Sequence, residues 1–252
     1  MSDPTQRFSD RVETYVRARP GYPPAIIDLL RDRAGLGPGC VVADLGAGTG
    51  IFTRLLEAAG AHVHAVEPNE KMLAALIGSL APGSTVRTHR RPAEATNLAA
   101  SSIDLVTAAQ AFHWFDRDAV GREMRRILRP GGAVAIIWNG RVTTTPFTAA
   151  YDALLRRWAT DLGQVDHRQI PREQLREFFA PGPHELHELD NHQVLDRVGL
   201  RGRLLSTSYA PPPGHPDHEG MLADLDALFD AHARDGAVRL DYRTELHLGR
   251  FA

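Results

Sequence analysis

Asp44-Leu45-Gly46-Ala47-Gly48-Thr49-Gly50 follows a short apolar run, Cys40 to Leu45 (CVVADL). After it, Ile51, Phe52, Leu55 and Leu56 fall on one helical face, and Gly60 ends that helix. The stretch is therefore a strand, a glycine loop and a helix. Glycine lets the chain turn tightly and lets a ligand come close to the backbone. The spacing here is G-x-G-x-G, whereas the dinucleotide fingerprint G-x-G-x-x-G would need glycine at Ile51. Asp44 stands two residues before the first glycine, at the carboxyl end of the strand. A carboxylate there repels a pyrophosphate and suits a ligand that carries positive charge. The loop points away from a dehydrogenase.

The pattern continues outward from this unit. His62 to Val66, Thr85 to His89, Ile103 to Ala108 and Ala133 to Trp138 are predicted strands. Helices are predicted over Glu70 to Leu80 and Asp118 to Leu128, with Pro130, Gly131 and Gly132 turning into the fifth strand. Strands alternating with helices imply an α/β fold, a mostly parallel sheet with helices on both faces. Residues 1–39, with helices near Ser9 to Val16 and Ala25 to Arg33 around RPGYPP, form an expected N-terminal helical cap or lid. Residues 40–140 are the expected ligand-binding core. Residues 141–252 should supply substrate-side helices over 147–180 and Leu222 to Ala233, and late strands at His184 to Leu189 and Val238 to Leu248. We expect one domain over 1–252.

Composition narrows the function. The 252 residues are 43% hydrophobic with a formal net charge of −2, and the 29 Lys and Arg, of which only Lys71 is lysine, are scattered along the chain. A nucleic-acid binder would concentrate basic charge, so a nucleic-acid partner is disfavoured. MSDPTQRFSD lacks the apolar core of a signal peptide, and no apolar run approaches the roughly 18 residues of a membrane span. The lone Cys40 cannot form an intramolecular disulfide. A cytoplasmic protein without a membrane segment is the expectation. His62 with His64, and His215 with His218, lack a third ligand at metal spacing, so no metal is expected.

Several residues are candidates for ligand contact. Glu67 ends the second strand in AVEPN, 19 residues after Gly48, where a carboxylate can accept hydrogen bonds from both hydroxyls of a ribose. Pro68, Asn69 and Met72 follow it, and Asn69 and Met72 could flank an adenine. RPAEATNL places Ala93 and Glu94 near the adenine edge. AQAFHWFD, Ala109 to Asp116, follows the fourth strand, where folds of this class bind ligands. There Gln110 offers a backbone carbonyl, Phe112, Trp114 and Phe115 an apolar wall, and His113 a base that can accept a proton near neutral pH.

DLGAGTG, AVEPN, PAEATNL, AQAFHWFD and ILRPGGAVAIIW, in that order, resemble the class I S-adenosylmethionine-dependent methyltransferases. YVRARPGYP and AFHWFD resemble the small-molecule branch that includes trans-aconitate methyltransferases. The resemblance covers residues 8–140 and thins beyond them. It implies a Rossmann-like sheet of seven strands with the last antiparallel. It implies an enzyme using S-adenosyl-L-methionine, with S-adenosyl-L-homocysteine as product, and Asp44, Gly46, Ala47, Gly48, Glu67, Ala93 and Gln110 lining the cofactor. It also implies that the segment with Tyr15, Arg19 and Tyr22 folds over the site, Arg19 pairing with the cofactor carboxylate and Tyr22 meeting substrate. Trp114, Arg141 and Tyr209 are further substrate candidates. A small-molecule acceptor, most simply an organic acid or hydroxyl compound methylated on oxygen, is expected. An RNA-modifying methyltransferase and a non-catalytic S-adenosylmethionine-binding protein are the alternatives.

Overall fold

In the computed structural model the alternation builds one sheet of seven strands, ordered β3-β2-β1-β4-β5-β7-β6. The structure describes residues 18–159, 170–207 and 209–252. Tyr15 and the helix expected at Ser9 to Val16 lie outside the described residues. The strands are β1 (Val41–Leu45), β2 (His62–Val66), β3 (Arg87–His89), β4 (Ile103–Ala109), β5 (Leu128–Arg141), β6 (His184–Leu195) and β7 (Val238–Gly249). The pairings from β3 across to β5 are parallel, and β7 runs antiparallel to both β5 and β6. The expected fold class is borne out.

Among the described residues, the helices are α1 (Ala25–Ala34), α2 (Ile51–Ala58), α3 (Glu70–Ser79), α4 (Arg117–Ile127), α5 (Pro146–Trp158), α6 (Arg172–Phe179), α7 (Arg197–Leu205) and α8 (His218–His232). Strand alternation sorts the core onto two faces. Val106 and Ile136 pack with Phe112, Met124 and Phe179, while Leu105 and Ile137 pack with Ile26, Leu30, Phe52 and Leu56. Burying each such side chain contributes about 1.5 to 3 kcal/mol. Cys40 is buried within the second group. A third cluster, with Tyr151, Leu200, Leu204, Tyr209, Leu225 and Tyr242, joins α5, α7 and α8 to β7.

Three boundaries differ from expectation. Leu128 belongs to β5, pairing with Ile103, and not to the helix before it. The helical stretch at 147–180 is divided: α5 stops at Trp158 and α6 starts after Pro171, whose ring cannot sit inside a helix without breaking it. β6 continues to Leu195, and Asp196 then caps α7 by accepting a hydrogen bond from the Gly199 amide.

The strand order places the site. From β1 the chain moves outward to β2 and β3, then returns to β4 on the other side of β1. That reversal opens a crevice at the carboxyl ends of β1 and β4, the usual ligand position in open α/β sheets.

Candidate functional site

The glycine loop after β1 and the segment after β4 face this crevice together. Val66 at the end of β2 holds the loop, its carbonyl accepting from the Gly46 and Ala47 amides at 2.8 and 3.1 Å. Gly46 adopts φ 68° and Gly48 φ 55°, left-handed conformations that side chains rarely tolerate. A Cβ on Gly46 would stand 2.5 Å from Ala111 Cβ and 3.2 Å from Phe115 Cζ. The two loops therefore touch, and glycine is what allows the approach. Met72 Sδ lies 3.7 Å from the Cβ position of Gly48.

Two buried carboxylates border the loop. Asp44 is 1% exposed, and its oxygens accept hydrogen bonds from Thr53 Oγ1 at 2.6 Å and Thr107 Oγ1 at 2.8 Å. Burial pushes its carboxyl up to about 6, against the pull of the two hydroxyls. Glu67 accepts from the Gly48 amide at 2.9 Å and from the Asn69 amide at 2.8 Å. Burial raises its pKa, and the charge of Asp44 acts in the same direction. Among the described residues no arginine, lysine or histidine forms an ion pair with either group. Each carboxylate oxygen accepts one hydrogen bond from the protein and can accept a second. Two desolvated anions with no cation paired to them among the described residues suit a ligand that is both cationic and rich in hydroxyl donors.

The residues around them are brought to the same edge. Asn69 caps α3, its Oδ1 accepting from the Met72 amide at 3.0 Å. Pro68 is half-buried between Glu67 and Asn69. Ala93 is buried, and Glu94 Oε1 accepts from the Asp116 amide at 2.9 Å, tying its segment to the end of AQAFHWFD. Gln110 sits at φ 58°, a left-handed conformation for a non-glycine residue that costs roughly 1 to 3 kcal/mol and recurs at functional sites. The Phe112 side chain is fully buried and meets Phe115, Trp138 and Phe178 edge-on.

Residues 43–136 match the methyltransferase-domain family. The methyltransferase-domain match thus runs from β1 into β5 and takes in every loop of the crevice just described. An uncharacterized methyltransferase of Mycobacterium tuberculosis is 40% identical over 139 residues, 55% of this chain and 54% of that protein. The chain spans little more than half the length of the curated relatives it matches. A protein of Anaeromyxobacter dehalogenans assigned as a type II methyltransferase superposes with TM-score 0.68 at 26% identity, covering 92% of this chain and 97% of that one. Phosphoethanolamine N-methyltransferase 2 of Haemonchus contortus, solved with S-adenosyl-L-methionine, superposes with TM-score 0.59 at 17% identity, covering 99% of this chain and 59% of that one, and shows the fold alone.

The remaining candidates lie beyond the β4 end of the crevice. His113 and Trp114 sit in a short 3₁₀ turn, Phe112–Trp114, both half-buried. His113 Nδ1 accepts from the Trp138 indole N–H at 3.4 Å. Side-chain amides strap the segment at residues 18–22 over β5 and β6. Asn139 and Asn191 donate to the Gly21 carbonyl, and Gln193 donates to that of Ala18. Within the strap, Arg19 donates to the Ser206 carbonyl at 2.9 Å, and Tyr22 packs edge-on against Phe52 with centroids 4.9 Å apart. Arg141 donates to Tyr209 Oη at 2.9 Å, joining two residues that the sequence named separately.

Sequence reasoning missed Arg203, Tyr151 and Tyr242, which share this end of the molecule with Arg141 and Tyr209. Their signal was hidden because a buried arginine and a solvated one look alike in sequence. Among the described residues no group of three or more His, Cys, Asp or Glu could hold a metal ion, and no helix is long and apolar enough to cross a membrane.

Proposed function

We propose that this protein transfers a methyl group from S-adenosyl-L-methionine to a small molecule. The observation that carries the reading is the pair Asp44 and Glu67, buried and, among the described residues, without a cationic partner on either side of the Gly46–Gly48 turn. When bound, the cofactor supplies a methyl group on a positively charged sulfur, which leaves as a neutral thioether once the acceptor's lone pair takes the carbon. Glu67 would accept from the ribose hydroxyls, and Asp44 would stabilise the cationic methionine portion through the loop. Asn69, Met72, Ala93 and Glu94 would border the adenine, and the Gln110 carbonyl would meet the methionine ammonium. The strap carrying Arg19 and Tyr22 would close the crevice against water. The resemblance of YVRARPGYP and AFHWFD to the small-molecule branch supports an acid or hydroxyl acceptor methylated on oxygen.

The protein's main task is then alignment of acceptor, methyl carbon and sulfur, which can lower a barrier by up to about 7 to 11 kcal/mol. His113 is the candidate base, but its geometry favours a different use. Because Nδ1 accepts from Trp138, the neutral ring keeps its proton on Nε2, a donor position. A donor orients an acceptor oxygen and removes no proton from it. Screening acids, phenols and amines with methyl-labelled cofactor tests the activity. With an acid acceptor, His113→Gln should change kcat less than about tenfold and leave the pH profile flat through the histidine range. A loss of about 100- to 10,000-fold, with wild-type rate rising through that range, would instead establish His113 as a general base.

A further inference from the structure

Beyond AQAFHWFD the sheet edge carries a cluster of one buried and one half-buried arginine with buried tyrosines, which the cofactor reading leaves unused. Arg141 ends β5 and pairs in register with Tyr242 of β7, which pairs in turn with Asn191 of β6. All three therefore lie at the edge of the sheet where the crevice opens. Arg203, from α7, is 4% exposed. Its Nε donates to Tyr242 Oη at 3.0 Å, and Tyr242 Oη donates to Gln193 Oε1 at 2.8 Å. Among the described residues no carboxylate forms an ion pair with Arg203, and its Nη1 is buried without a hydrogen-bond partner.

Two more donors share this condition. Among the described residues, the buried Tyr151 Oη has no hydrogen-bond partner, and the buried Arg141 Nε has none. Burial pushes the Tyr151 phenol far up, while Arg203 and Arg141 pull it back, so the hydroxyl keeps its proton at neutral pH and lies within the field of both guanidiniums. Asp152, 3.5 Å from Arg141, is the acid of this neighbourhood, and it also pairs with Arg156 at 2.8 Å. Trp114, next in chain to His113, packs against the cluster that contains Tyr151 and Tyr209. The cationic group thus adjoins the wall where an acceptor would lie.

A buried guanidinium cannot shed its proton, and an unpaired buried donor costs several times what a satisfied one contributes. Two arginines and a phenol with spare donors therefore call for an anionic oxygen acceptor. Resting on the methyltransferase reading, we propose that Arg203, Arg141 and Tyr151 form an anion subsite that anchors a carboxylate or phosphate of the acceptor substrate. The anchored group selects acceptors that carry such an anion and turns their other end towards His113 and the methyl group. A neutral analogue would leave the same donors buried and unpaired, which is how such a site excludes it.

The test uses the full chain saturated with S-adenosylhomocysteine, with melting temperature followed at constant ionic strength in succinate, citrate, inorganic phosphate and uncharged succinamide. At least one anion should raise the melting temperature and succinamide should not. A response to the carboxylates alone identifies a carboxylic acid acceptor, and a response to phosphate alone a phosphomonoester. Tyr151→Phe removes only a hydroxyl without a partner, so it should fold, and it should weaken the effective anion about tenfold or more. Arg203→Gln should do the same and raise KM for the matching acceptor about 10- to 100-fold with kcat little changed. Equal anion effects in wild type and Tyr151→Phe, or none in wild type, would overturn the subsite. So would a loss of S-adenosylhomocysteine affinity in Arg203→Gln, because the cluster would then serve the cofactor carboxylate. Running the anion series without S-adenosylhomocysteine separates the two readings: failure of cofactor binding with intact anion stabilisation sinks the methyltransferase assignment and spares the subsite.

Discussion

Asp44→Asn is expected to make the ligand-free protein more stable while it weakens cofactor binding. The carboxyl of Asp44 is raised from an ordinary 3.8 to about 6 because burial penalises its charge. A folded-state pKa above the unfolded value means that the folded protein holds its proton longer. The penalty is absent below about 3.8, grows as pH rises towards 6, and is complete above that. A shift of this size corresponds to about 3 kcal/mol. Asparagine removes the charge, and the Thr53 and Thr107 hydroxyls, which can rotate, are able to accept from its amide as well as donate to it. At pH 8 the variant should melt up to about 10 °C higher. Its affinity for S-adenosylmethionine should fall, because the positive ligand no longer meets an ionised carboxylate. The same coupling gives the wild type a pH signature: affinity should decline below about pH 6, by as much as about tenfold per unit, and the decline should vanish in the variant. A variant that melts no higher at pH 8 would show that the Asp44 charge is compensated in the folded protein.

Gly46→Ala should be the most damaging single methyl in the loop. The new Cβ would stand 2.5 Å from Ala111 Cβ, and the residue would have to hold φ 68°. Left-handed backbone costs a non-glycine residue roughly 1 to 2 kcal/mol. Overpacking against a close neighbour typically costs about 1 to 3 kcal/mol more. Relief of the overlap must push the AQAFHWFD segment away from the glycine loop, so both sides of the crevice are disturbed. Gly48→Ala is the control. It shares the positive φ, but its Cβ would meet only Met72 Sδ at 3.7 Å, an ordinary contact. Denaturant unfolding should therefore rank Gly46→Ala well below Gly48→Ala in stability. Equal losses would mean that the close approach of the two loops contributes nothing.

The first half of the fold was legible because its signals are local. CVVADL and IDLVTA are buried on both sides of the sheet and appear as short apolar runs, HVHAV alternates histidines with buried Val63 and Ala65, and glycine marks the turn after β1. β6 was read only to Leu189 because none of its residues is fully buried, and DNHQVL carries no apolar signal strong enough to extend it. α7 was missed for a related reason. RVGLRGRLL contains two glycines, which disfavour helix, and the helix depends on the Asp196 cap and on packing of Leu200 and Leu204.

The site divided in the same way. Asp44, the glycines and Glu67 lie at strand ends whose positions follow from spacing, so their convergence could be anticipated. The aromatic run FHWF does not say which ring turns into the core, and Phe112 is the one fully buried. Arg203 and Tyr242 are brought together across 39 residues by β7 turning back between β5 and β6, which no local pattern encodes.

On the proposed function, S-adenosylmethionine is held at the carboxyl ends of β1 and β2 by Asp44 and Glu67. Calorimetric titration of the full chain with S-adenosylhomocysteine and with NAD, for wild type and Glu67→Ala, tests it most directly. Wild type should bind S-adenosylhomocysteine and not NAD, and folded Glu67→Ala should bind it about 10- to 100-fold more weakly, the loss of hydrogen bonds to a charged acceptor. Unchanged affinity in the folded variant, or tighter binding of NAD than of S-adenosylhomocysteine, would contradict it.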